Sequence, residues 1–172
     1  LVGTLDDVAE LKFTSSDKIA CLTQTTLSVA ETAVIVQALR QRYPQIELPG
    51  KEDICYATTN RQEAVRLLIE SSDVLIVLGS QNSSNSRRLM ETGAAKGVPS
   101  YLVDDSSELQ LDWFHDAQTV VVTAGASAPE VVVQECVDFL RHHFSATVSE
   151  EMLKHENVEF PLPRELQMLI AE

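Results

Sequence analysis

The sequence predicts an α/β fold built on a parallel sheet, and three observations carry that prediction. The first is Val74-Leu75-Ile76-Val77-Leu78, an apolar run without alternation, as expected of a strand buried on both faces. The second is the way this run ends: it stops at Gly79, opens into Ser80-Gln81-Asn82-Ser83-Ser84-Asn85-Ser86, and continues as a helix whose inner face is Leu89, Met90, Gly93 and Ala94. The third is repetition of this design. Lys18–Leu22 leads into Thr23-Gln24-Thr25-Thr26-Leu27-Ser28 and a helix from about Val29 to Arg42, and Thr119–Thr123 leads into Ala124-Gly125-Ala126-Ser127-Ala128-Pro129-Glu130 and a helix to about His143.

Taken in order, a short helix is expected around Asp6–Leu11, in a stretch too small to close a core alone. The 29–42 helix presents Val34, Ile35, Ala38, Leu39 and Tyr43 at helical spacing and stops at Pro44. A polar connection carrying Pro49-Gly50 leads to Asp53-Ile54-Cys55-Tyr56-Ala57-Thr58-Thr59-Asn60-Arg61-Gln62, where Thr59 and Gln62 pattern as a capping box. Ser28 with Glu31, and Ser127 with Glu130, pattern the same way, the latter with Pro129 in the first turn. Ala64, Val65, Leu68 and Ile69 form the next buried face. After the central strand, 98–103 reads as a further strand and Ser106–Phe114 as a short helix burying Leu109, Trp113 and Phe114. The last large helix buries Val132, Val133, Cys136, Val137 and Leu140. Beyond Ser145 the chain turns polar and acidic, and Val158–Pro163 is expected to be extended, since each proline biases its predecessor away from helix.

Three such junctions would gather at the carboxyl ends of their strands, where open α/β sheets bind ligands. First-turn amides have no intrahelical acceptor, and the dipole places roughly +0.5 charge there, so hydroxyl-rich helix starts suit an anion. The plainer reading is that Ser and Thr only cap helices, each contributing about 1 kcal/mol.

Composition narrows the partners. Thirteen Lys and Arg against 26 Asp and Glu give a net charge of −13, which argues against nucleic acid or an anionic membrane as the main partner but leaves room for a small phosphorylated ligand held by local dipoles. No apolar run approaches the ~18 residues of a membrane span. The three cysteines, Cys21, Cys55 and Cys136, are widely spaced and form no disulfide framework, which suits a reducing compartment. Cys21 and Cys136 read as core residues. Cys55, just before a helix start where the dipole favours a thiolate, is the candidate functional thiol. Arg87 and Arg88 read as a solvated helix face, the carboxylate pairs Asp104-Asp105 and Glu150-Glu151 as solvated loops, and His115, His142, His143 and His155 as surface residues without metal-ligand spacing. The chain starts at Leu1, carries no signal peptide, and reads as a piece of a longer protein.

Four stretches together, 23–29, 53–62, 79–86 and 123–129, resemble the 4-hydroxy-3-methylbut-2-enyl diphosphate reductases, iron–sulfur enzymes that end the non-mevalonate isoprenoid route, with order and spacing kept over nearly the whole chain. The resemblance implies parallel-sheet lobes of a three-lobed trefoil around a [4Fe-4S] cluster, incomplete here: 1–52 as the remainder of the second lobe, 53–144 as the third, and 145–172 as a C-terminal extension. By the same resemblance Cys55 matches one cluster ligand, Ser83, Ser84, Asn85 and Ser127 match the diphosphate pocket, and Thr25 matches a threonine that touches the substrate and relays a proton. The implied reaction removes the substrate hydroxyl as water, using two electrons from ferredoxin or flavodoxin, in a bacterial cytoplasm or a plastid.

The departure from the family is large. Its N-terminal half, with two cysteine ligands, the substrate-facing histidines and the proton-delivering glutamate, is absent from these residues. One thiolate does not hold a cubane, so the chain alone is expected to be inactive until that half is supplied. Two alternatives stand beside the reductase: a non-catalytic diphosphate-binding module, and a phosphosugar isomerase-like domain, which here lacks a base near the loops.

Overall fold

The computed structural model describes residues 1–49, 53–153, 161–163 and 166–167. Its centre is the strand predicted from the unbroken apolar run: β1, Val74–Leu78, is buried at all five positions. β2, Ser100–Val103, and β3, Val120–Ala124, flank it, both parallel to it, in the order β2-β1-β3. The register pairs Ile76 with Tyr101 on one side and with Val122 on the other. The expected α/β class with a parallel sheet is therefore the fold observed.

Alternation along β1 builds two cores. Leu75 and Val77 pack with Val65, Ile69, Leu89 and Leu102 on one face. Val74, Ile76 and Leu78 pack with Val103, Leu109, Phe114, Cys136 and Leu140 on the other. Each of these aliphatic side chains contributes about 1.5–3 kcal/mol when fully buried. The first face is covered by α3, Tyr56–Leu68, and α4, Ser84–Ala94; the second by α5, Glu130–Phe144. Helix α4 comes close to the sheet, because a Cβ on Gly93 would stand 2.6 Å from Leu75 Cδ2. Close approach decides that residue in spite of its poor helix propensity.

A third, smaller cluster of Val8, Leu39 and Tyr43 joins α1, Leu5–Glu10, to α2, Val29–Arg42. The Thr4 side chain and Asp7 close a capping box on α1, and the Ser28 hydroxyl accepts from the Glu31 N–H at the start of α2. The predicted α2 face needs one correction, because Val34 is 52% exposed while Ile35, Ala38, Leu39 and Tyr43 pack inward.

Four further expectations are corrected. Lys18–Leu22 is not a strand of the main sheet; it makes a single parallel bridge, Ala20 to Glu47, with Cys21 N–H donating to Glu47 O and Glu47 N–H to Ile19 O. Leu22 is 80% exposed, and a pairing so short lacks the third strand that isolated sheets need. Helix α3 starts three residues before the Thr59/Gln62 box, so that Cys55 itself is its N-cap. The Ser127/Glu130 box does not form, since α5 opens at Glu130 with Pro129 as N-cap; a proline disfavours helical geometry in the residue before it, here Ala128. Residues 106–114 fold as two 3-10 turns, Ser106–Glu108 and Leu111–Phe114, because Asp105 bonds the Ser107 N–H and Glu108 bonds the Asp104 N–H. Leu109 and Phe114 are buried as expected, while Trp113 is half-buried and stacks on Tyr101 at 3.9 Å between ring centres. Of the expected extended segment, 158–160 lies outside the described residues, as does Gly50 of the Pro49-Gly50 turn.

Candidate functional site

The order β2-β1-β3 locates the site. The chain leaves β1 for β2 on one side, and β3 then returns on the other, so the loops after β1 and β3 diverge from adjacent strand ends. The helices they enter, α4 and α5, cover opposite faces of the sheet. Where the loops part, Gly125 N–H donates to Leu78 O at 2.8 Å. Ser86 fills the gap, for a Cβ built on either Gly79 or Gly125 would collide with its Oγ. Gly79 also sits at φ +152°, a backbone conformation that side chains disfavour.

The buried Ser86 hydroxyl also sets the chemistry next to it. Ser83, the N-cap of α4, accepts from Ser86 N–H at 3.3 Å and from Ser86 O–H at 3.0 Å. Both lone-pair directions of Ser83 Oγ are thereby used, leaving its own hydrogen free to donate. Ser84 Oγ accepts from Thr26 Oγ at 3.2 Å and likewise keeps its hydrogen. That bond ties the first junction, 23–28, to the start of α4. Asn85 completes the group: it is only 6% exposed, and neither its Nδ2 nor its Oδ1 has a hydrogen-bond partner. A buried polar atom left unpaired costs about 1–3 kcal/mol. The first turn of α4 therefore gathers two hydroxyls with a hydrogen left to donate, a buried unpaired amide and the free backbone N–H groups of a helix start, at the positive end of its dipole.

The other predicted residues are divided between this neighbourhood and more distant places. Thr25 is exposed, and its carbonyl accepts from Cys55 N–H at 3.0 Å. Cys55 is half-buried at the N-terminus of α3. Ser127 is exposed on the turn closed by Ala128 N–H and Gly125 O, and no hydrogen bond joins it to the other predicted site residues. Cys136 is fully buried, and desolvation pushes its thiol up to about 11. Cys21 is half-buried rather than fully enclosed; burial and then the negative charge of Asp53 raise its pKa. It lines a cleft beside α2 with Thr23, Val36 and Asp53. Arg88 is committed to Glu91 at 2.7 Å and Glu31 at 3.3 Å, and Arg87 is exposed, so the solvated-face reading of this pair stands. His115, His142 and His143 are exposed, and His155 lies outside the described residues. Among the described residues no three His, Cys, Asp or Glu side chains group as metal ligands.

Two contributors escaped the sequence reading. Asp53 accepts from the Thr23 N–H at 2.7 Å, and Gln62, which patterns locally as part of a capping box, instead spans to the start of α2. The one available signal for Gln62 was its polarity on the same side of α3 as Cys55, seven residues on.

Gly125→Ala is expected to destabilise the chain by about 1–3 kcal/mol, the range of overpacking. The companion change Ser86→Ala should recover part of that loss, because it removes the colliding oxygen. Urea denaturation of both single variants and the double variant measures the coupling. Strict additivity would mean that the two loops do not meet through Ser86.

The LytB protein family model matches residues 1–141. The chain belongs to the LytB protein family. Its LytB relatives include the 4-hydroxy-3-methylbut-2-enyl diphosphate reductase of Rhodopirellula baltica, 51% identical over 172 residues, which are 100% of this chain and 54% of that protein. The reductase of the same name from Neisseria gonorrhoeae is 52% identical over 167 residues, 97% of this chain and 52% of that one. Among solved structures, the E-1-hydroxy-2-methyl-but-2-enyl-4-diphosphate reductase from Plasmodium falciparum superposes with a TM-score of 0.91 at 35% identity, covering 99% of this chain and 54% of that one. This LytB chain thus spans about half the length of the curated relatives it matches. No helix among its described residues is long and apolar enough to cross a membrane.

Proposed function

We propose that this LytB chain is the C-terminal part of a 4-hydroxy-3-methylbut-2-enyl diphosphate reductase and supplies its diphosphate pocket. The observation that carries the reading is Asn85, a buried amide with no partner beside two hydroxyls that act as acceptors within the protein and keep a hydrogen to donate. Nδ2 of Asn85 and the Ser83 and Ser84 hydroxyls donate to phosphate oxygens, with Ser127 adding a further hydroxyl from the β3–α5 turn. Bonds to a charged acceptor are roughly twice as strong as neutral ones. Donors of this kind neutralise no phosphate charge outright, so the substrate is oriented by directed hydrogen bonds and a helix dipole. Thr25, held beside Cys55 through its carbonyl, relays a proton toward the leaving hydroxyl, which departs as water with two electrons and two protons consumed.

Cys55 is one ligand of the family's [4Fe-4S] cluster in this reading. The residues of this chain alone do not fit such a cluster, since it takes three or four thiolates and Cys55 is the single cysteine at the site. The remaining ligands belong to the rest of the enzyme, as do the contacts for ferredoxin or flavodoxin. Residues 1–52 finish the second lobe, 53–144 form the third, and 145–172 extend from it. The separate cluster of Val8, Leu39 and Tyr43 supports that division. The single thiol favours a second reading, a module that holds diphosphate without redox chemistry.

The test is to supply the missing half as a separate polypeptide taken from a relative, reconstitute anaerobically, and measure iron, visible absorbance and product formation. Iron retention with conversion of 4-hydroxy-3-methylbut-2-enyl diphosphate is expected. Tight inorganic pyrophosphate binding with no iron uptake would favour the redox-silent module.

A further inference from the structure

We infer that Gln62 is a positioning residue, whose side-chain amide clamps the loop bearing Thr25 to the helix bearing Cys55. Several hydrogen bonds join the loop 23–29 to the segment 53–62. Asp53 accepts from the Thr23 N–H at 2.7 Å, and Cys55 N–H donates to Thr25 O at 3.0 Å. Gln62 then makes two bonds at once: Nε2 donates to Leu27 O at 2.9 Å and Oε1 accepts from Val29 N–H at 3.0 Å. A carbonyl and an N–H two residues apart are the pair that a neighbouring strand would satisfy, so this amide stands in for a peptide unit.

The side chain is matched to that task. Gln62 is 8% exposed, on the face of α3 that also carries Cys55 and the buried Thr58. Val29 is the first residue of α2, and its N–H has no acceptor within that helix. Asparagine is one methylene too short to copy the reach. Glutamate would set a second acceptor against Leu27 O, and leucine would leave two backbone groups unpaired. None of these bonds is made to Ser83, Ser84 or Asn85, so the clamp acts directly on the Thr25–Cys55 relation and reaches the α4 donors only through the Thr26–Ser84 bond. Its meaning for catalysis rests on the proposed function; the clamp itself does not.

Native-state hydrogen exchange on the 172-residue chain tests it, comparing the parent with Gln62→Leu. The amides of Cys55 and Val29 are expected to lose protection by about tenfold or more while Ile76 and Val77, in the central strand, keep theirs. Unchanged protection at Cys55, or a fall at Cys55 only in step with Ile76, would overturn the clamp. Should Gln62→Leu not fold, the parent chain in subdenaturing urea serves instead. There Cys55 and Val29 are expected to open with one common urea dependence, and separate openings would overturn the inference. In the enzyme completed with its other half, the substitution is expected to lower kcat and leave KM for the diphosphate unchanged. A rise in KM with kcat intact would contradict a positioning role, whereas an inactive parent enzyme would fault the proposed function and leave the exchange result standing.

Discussion

Asn85→Leu should make this chain more stable and a worse diphosphate binder. Leucine branches where asparagine does and sets two methyl groups in place of its unpaired polar atoms, so the substitution removes a burial penalty of about 1–3 kcal/mol. The midpoint of urea denaturation should rise with the slope unchanged. Affinity for inorganic pyrophosphate should fall by about 1.5–3 kcal/mol, the range for a hydrogen bond to a charged group, or roughly tenfold to over a hundredfold. Calorimetric titration reads that change directly. A residue that merely packs would shift both quantities in the same direction, so the opposed signs are the diagnostic. A variant that binds pyrophosphate as tightly as the parent would remove Asn85 from the site.

Cys55→Ser should abolish cluster retention in the completed enzyme. Serine preserves the N-cap position, where Cys55 makes no side-chain capping bond to lose, so the fold should be undisturbed and the helix start slightly favoured. What disappears is a thiolate ligand, and a cluster holding one ligand fewer is readily lost. Iron analysis after anaerobic desalting, with circular dichroism as the folding control, checks the outcome. Cys136→Ser makes the contrast: that thiol is buried in the α5 core with its pKa raised by desolvation, so its loss should touch stability and leave iron content alone. Full iron in the Cys55 variant would mean that another residue is the ligand.

Much of the fold was legible because burial on both faces leaves a strong mark. Val74–Leu78 has no alternation to confuse, and the small hydroxyl residues behind it bound α4 correctly to within its first turn. The ends of helices were less legible where a distant part of the chain decided them. Thr59 and Gln62 carry a local capping pattern, yet Gln62 has a better use at α2, 33 residues away, and Thr59 donates to Cys55 O inside the helix. Ser127 and Glu130 carry the same pattern, but Pro129 disfavours helical geometry at Ala128 and becomes the N-cap itself, so the box does not form. A Ser127 hydroxyl that is not a cap is left exposed at the start of α5. Val34 falls on the apolar face of its helix and Leu22 in an expected strand, yet both are exposed in this chain. Asn85 could be placed at a helix start from sequence, but its lack of any partner was visible only once its neighbours were in place.

The parallel order of the sheet also dictates when it can assemble. β1 pairs with β3 across 46 residues, from Val74 to Val120, and that side of a wholly apolar strand has no substitute until the later segment exists. Until then β1 has one ladder edge open, with β2 pairing the other edge and α4 packing on one face. A bare, hydrophobic edge is the template on which chains join one another wrongly. The edge of β1 that β3 covers thus stays open until residues 120–124 are available to pair with it.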